Sequence, residues 1–146
     1  MGVSSQTNSE SRGIAGWARS RSLTPLFFEG VGVSPQLLPR LAAEAGLEVD
    51  PVDGHSPRQA DVLIVAGPIP IKLMPVLQRM WRAMRAPRWC VAFGGGEGHG
   101  VDSYALVTDI RRFVPVDVFV PECPPTAESM REAIDQVRRL AGGASS

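Results

Sequence analysis

The chain carries two thiols, and Cys123 is the one whose surroundings could present it for chemistry. It lies in RFVPVDVFVPECPPTAE, residues 112–128, where an apolar run from Val114 to Val120 ends on Pro121 and Pro124-Pro125-Thr126 opens a helical pattern. Two consecutive prolines fix φ and remove two amide donors, so the spacing predicts a strand, a stiff corner bearing the thiol, and a helix start. The plainer alternative is a small buried residue at a turn. Cys90, in RWCVAF, falls within a predicted strand and reads as a buried residue without reactive or metal-binding duty. Glu97 and His99 follow in a glycine-rich loop, with Asp102 just beyond it. With Cys123 they offer donors suited to zinc or a single iron, but their spacing matches no metal motif, and they read as polar residues of a flexible loop. His55, in a turn beside Gly54, has no candidate partner and reads as exposed.

The elements that must hold these groups alternate along the chain. Leu23–Glu29 reads as a first strand, with Pro25 pushing it toward a sheet edge or a late start. Gly30 and Gly32 suit a tight strand-to-helix turn; no phosphate fingerprint accompanies them, so they are read as turn formers and not as an anion cradle. Leu37, Leu38 and Leu41 give a short helical face that stops at Gly46. A short strand is expected over Leu47–Val52, and a strand apolar on both faces over Val62–Ala66. Leu73, Val76, Leu77, Met80, Trp81 and Met84 recur at helical spacing, with Pro75 in the first turn and arginines at 79, 82, 85 and 88. The arginines suit the helix dipole and a solvated face, an acidic partner surface being the sharper alternative. Ser103–Arg112 reads as a helix with Leu106 and Ile110 inward, Val116–Val120 as the last strand. A final helix begins at Thr126 and Glu128, with Met130, Ala133, Ile134, Val137 and Leu140 inward and Gly142-Gly143 as its stop. Strands that are nearly all apolar and alternate with helices predict an α/β fold with a parallel sheet covered on both sides.

Two stretches carry a resemblance to a known family. VDVFVPECPPTAE is similar to the Cys-Pro-Pro signature of the 20 kDa (B-type) subunit of NADH-quinone oxidoreductases and of the small subunit of energy-converting nickel-iron hydrogenases and formate hydrogenlyases, with Glu122 where the signature has glycine. SPRQADVLIVAG, from Ser56 to Gly67, resembles the Ser-Pro-Arg-x-Ala-Asp stretch of the same proteins, and GWARSRS their Trp-Ala-Arg segment. The resemblance implies a flavodoxin-like three-layer sandwich with a mostly parallel central sheet, and a 4Fe-4S cluster held by four cysteines. Of these, Cys123 is retained. Gly96 occupies the third ligand position, and an ungapped match from Trp17 lays the first two on Val33 and Gln36. Cys90 does not replace Gly96, because six residues of extended strand separate them by about 20 Å. The implied cluster is therefore expected to be absent or altered.

Lys+Arg 15 against Asp+Glu 15 leaves no basic surplus for nucleic acid. No run approaches the ~18 apolar residues of a membrane span, and no apolar export segment opens the chain. Two cysteines are too few for a secreted disulfide framework, which favours a reducing compartment. Residues 1–15 are expected to be a disordered tail, 16–141 one B-type subunit-like α/β domain, and 142–146 a loose tail. By resemblance the partners are a large-subunit homologue, of the quinone-oxidoreductase 49 kDa or hydrogenase type, and other subunits of a complex on the cytoplasmic face of a membrane. Three functions compete: an electron-transfer subunit with a modified iron-sulfur site, a structural or accessory subunit with a degenerate one, and a stand-alone flavodoxin-like protein binding a nucleotide or flavin. Counting thiolates favours the second.

Overall fold

Val62–Ala66 has no polar alternation, so it must be covered on both sides, and the rest of the chain provides that cover. The computed structural model describes residues 23–49, 56–94, 106–107 and 109–143. Among them are strands β1 (Pro25–Glu29), β2 (Val62–Ala66), β3 (Ile69–Pro70), β4 (Trp89–Phe93), β5 (Leu106–Val107) and β6 (Val118–Val120), and helices α1 (Leu37–Glu44), α2 (Met74–Ala83) and α3 (Ala127–Gly143). One parallel sheet runs in the order β1-β2-β4-β6, and β3 pairs antiparallel with β5 outside it. Phe27, Ile64, Val91 and Val118 lie side by side across the sheet. Successive side chains point to opposite faces. Ile64, Val91 and Val118 meet α1 and α3 on one side, while Leu63, Val65, Cys90 and Ala92 meet α2 on the other. The result is a flavodoxin-like three-layer sandwich. β1 is an edge strand beginning at Pro25, where a missing amide costs little.

Local chemistry explains where each helix starts and stops. At the head of α3 the Thr126 amide donates to Ser129 Oγ at 2.9 Å and the Ser129 amide to Thr126 Oγ1 at 3.1 Å, a reciprocal cap. Met130, Ala133, Ile134, Val137 and Ala141 form its buried face. Leu140, expected inward, is exposed, and the helix runs on through Gly143. At the end of α2, Arg88 donates to the carbonyls of Trp81 at 2.9 Å and Met84 at 3.0 Å while its guanidinium stacks 4.6 Å from the Trp81 ring centroid. Arg88 thus caps the helix it follows. Arg88→Ala is expected to cost about 1.5 to 3 kcal/mol in chemical denaturation, with Arg88→Lys recovering only part; equal stability of wild type and Arg88→Ala would remove this role.

Two expected elements are replaced, each for a visible reason. No strand occupies 47–49, the described part of the expected Leu47–Val52 strand. Gly46, at φ +94°, donates to Ala43 O, and Leu47 N–H to Ala42 O, both at 3.0 Å. This Schellman pattern commits the Leu47 amide to the end of α1, so it is not free to start a strand. The expected helix over Ser103–Arg112 is likewise absent from its described residues. Leu106–Val107 is β5, and Asp109 accepts the Arg111 amide at 3.0 Å to cap a 3-10 turn over Ile110–Arg112. Ile110 is buried as expected, but β-branched Val107 and the capping aspartate favour extended chain and turn over helix.

Candidate functional site

Loops that leave the carboxyl ends of parallel strands meet at one edge of the sheet, and in this chain they are tied together by backbone. The Gly30 amide donates to Ala66 O at 2.7 Å and the Val31 amide to Pro68 O at 2.8 Å, zipping the loop after β1 to the loop after β2. The approach is so close that a Cβ on Gly30 would lie 2.3 Å from Pro68 O and 2.8 Å from Gly67 C. Gly67 has φ +88°, and Val33 Cγ2 would stand 2.9 Å from a Cβ there. Gly30 answers to crowded backbone, and Gly67 to its left-handed φ and the Val33 methyl.

Cys123 comes to the same place from the end of β6. It is half-buried and packs, with Val33, against the apolar core on the α1 and α3 side of the sheet. Burial pushes its thiol up from the ordinary range, and a backbone hydrogen bond from Gly67 pulls the other way. The stiff corner is as expected, with Cys123–Pro124 a cis peptide. Gln36 lies at the N-terminus of α1, exposed, accepting from Ser34 Oγ at 3.2 Å. Gly32, Ser34, Gln36, Leu37, Arg40 and Pro124 line an open groove of ≈ 350 Å³ there. Gln36 lines this groove together with Pro124, the neighbour of Cys123, while Val33 and Cys123 themselves pack inward, each against Gly67. Gly96, Glu97, His99, Asp102 and His55 lie outside the described residues, as does the 1–15 tail.

The second thiol is on the far side of the sheet. Cys90 belongs to the layer packed on α2 and is fully buried. Its amide donates to Asp117 Oδ2 at 2.8 Å, and the Asp117 amide returns a bond to Cys90 O at 2.9 Å, extending the pairing of β4 with β6. This explains why an acid interrupts the apolar run of residues 114–120, a role the sequence does not announce. Burial first, and the Asp117 charge second, push the Cys90 thiol up to about 12 from 9.0. Because the folded value exceeds the unfolded one, the stabilisation is complete below pH 9 and is lost as pH rises toward 12, by up to about 4 kcal/mol. Urea midpoints are expected to fall across that window and to fall less in Cys90→Ala; identical pH slopes for the two proteins would exclude the effect.

A four-thiolate cubane does not fit this donor set. The expected ligand positions hold the Val33 methyls, the Gln36 amide, a glycine at position 96 and one thiol, Cys123, while Cys90 is across the sheet. Among the described residues, no three His, Cys, Asp or Glu side chains are grouped so as to hold a metal.

The chain matches the family model described as NADH ubiquinone oxidoreductase, 20 Kd subunit, over residues 31–137. It belongs to that family. It is 36% identical over 134 residues to NADH-quinone oxidoreductase subunit 6 of Thermus thermophilus, an alignment covering 89% of this chain and 74% of that protein. An NADH-quinone oxidoreductase subunit from a second strain of the same species matches with the same figures. Among solved structures, a chain of the membrane-bound sulfane sulfur reductase, an archaeal respiratory membrane complex, superposes with a TM-score of 0.73 at 23% identity, covering 90% of this chain and 76% of that one, a likeness of fold. In this member Gly30, Gly67, Asp117 and the Cys123-Pro124-Pro125 corner hold the loops and strands together. Its first two expected ligand positions instead hold side chains that pack or face solvent.

Proposed function

We propose that this chain serves as a structural or accessory subunit of an NADH-quinone oxidoreductase-like or hydrogenase-like respiratory complex, and that its crevice no longer carries the family's 4Fe-4S cluster. The observation that supports this reading is Val33. A residue at a ligand position has become packing, its methyl set against Gly67 beside the single retained thiol. A thiol raised by burial is also a poor donor, since iron binds the thiolate. Among the described residues no helix is long and apolar enough to cross a membrane, so attachment to the inner face of the membrane runs through partner subunits, a large-subunit homologue foremost. Stretches retained for the fold, and not for the cluster, suit a subunit whose work is to hold others in place.

The test is the iron and acid-labile sulfide content of the complex prepared without oxygen through a tag on this chain. The expected result is co-purification of a large-subunit homologue, with no cubane paramagnetic signal assignable to this chain. About four irons on this chain alone, with that signal, would return it to electron transfer.

A further inference from the structure

The apolar stripe of α2 is already used. Met74, Leu77, Trp81 and Met84 are buried against the sheet. What faces outward is of one sign: between Asp61 and Glu97 the chain has no carboxylate, yet it carries Lys72, Arg79, Arg82 and Arg85 besides the capping Arg88. Among the described residues none of those first four joins an ion pair. The contrast with α3 is direct, because its exposed positions mix Glu128, Arg131, Glu132 and Arg139. Beside the cations, Ile71, Leu73 and Val76 are left 42%, 40% and 39% exposed, although Leu73 and Val76 have the spacing of core residues. Three large apolar side chains next to uncompensated cations form an apolar centre with a charged rim, which is the layout of a protein interface.

We propose that this face docks on a partner subunit through an apolar ridge flanked by Asp and Glu, an assignment that rests on the reading of the chain as a subunit of a complex. Charge complementarity chooses the occupant. A second copy of the chain across a two-fold axis would set cations against cations. A phosphate backbone would leave Ile71, Leu73 and Val76 in water. A lipid surface needs an amphipathic helix with a free apolar face, and that of α2 is spent in the core. An acidic protein surface satisfies both halves of the patch.

The test uses the assembled complex, with a photo-cross-linking residue at position 76 or 79 and, as control, at position 136 on the outer side of α3. Cross-links from 76 and 79, but not from 136, to a peptide rich in Asp and Glu are expected. Arg79→Glu with Arg82→Glu should lower the recovered complex roughly tenfold, with an unchanged melting temperature of the chain, and reversing the carboxylates of the cross-linked peptide should restore it. Cross-links to lipid, to a neutral or basic peptide, or equally from position 136 overturn the assignment, as does undiminished recovery of the double variant. A chain that elutes alone in gel filtration before any cross-linking overturns it together with the subunit reading, so the two failures are told apart.

Discussion

Cysteines placed together at positions 33, 36 and 96 are expected to raise bound iron to about four per chain after anaerobic reconstitution, with the brown absorbance of a cubane. The expectation rests on Val33 and Cys123 both meeting Gly67, and on Gln36 lining one groove with Pro124, the neighbour of Cys123. Val33→Cys is close to volume-conserving, and Gln36→Cys would put a thiolate at the N-terminus of α1, where the helix dipole favours it. Four thiolates would then offset the raised pKa of Cys123, because metal binding takes up the cost of deprotonation. Adding Cys123→Ala to that variant should remove most of the iron. A triple variant that stays colourless and iron-free while folded would show that these positions no longer share a site.

The largest loss of stability is expected from Gly30→Ala. A Cβ there meets Pro68 O at 2.3 Å, Gly67 C at 2.8 Å and Ala66 O at 2.9 Å, all backbone atoms that can yield only by parting the loops after β1 and β2. The same contact carries the bond from Gly30 N–H to Ala66 O, so strain relief and hydrogen bonding cannot both be kept. A cost of about 4 kcal/mol is expected, near the upper end for single substitutions, with a fall in melting temperature of roughly 10 to 15 °C. Gly32→Ala is the comparison: nothing lies within 4 Å of its Cβ, and only the left-handed φ of +84° opposes it, at about 1 kcal/mol. Gly94→Ala should fall between, since the obstacle is the Phe119 ring, a side chain held by Arg111 stacked 4.3 Å away and able to turn. Equal melting temperatures for the position 30 and position 32 variants would mean the loops are not locked as described.

The layering was legible in the sequence because periodicity reports burial. Val62–Ala66 could only be a doubly covered strand, and Met130, Ala133, Ile134 and Val137 could only be the inner face of a helix. Errors arose where short-range chemistry outweighed pattern. The Leu47 amide was taken by the end of α1, and Asp109 turned a helical spacing into a capped turn. Leu73 and Val76 had the spacing of core residues, but Met74 and Leu77 take the inward positions of the same turns and leave them outside.

For the site, the division is sharper. Counting cysteines needs no fold, and the sequence by itself determined that this chain carries two, against the four thiolates the resembling signature implies. Tertiary structure alone decided the rest: that Val33 and Cys123 share one core while Cys90 lies behind the sheet, and that Leu73 and Val76 stand exposed beside the cations of α2. The physical reason is that a side chain's identity sets which bonds it can make, whereas strand order and loop closure set which atoms come within the few ångströms over which such bonds act.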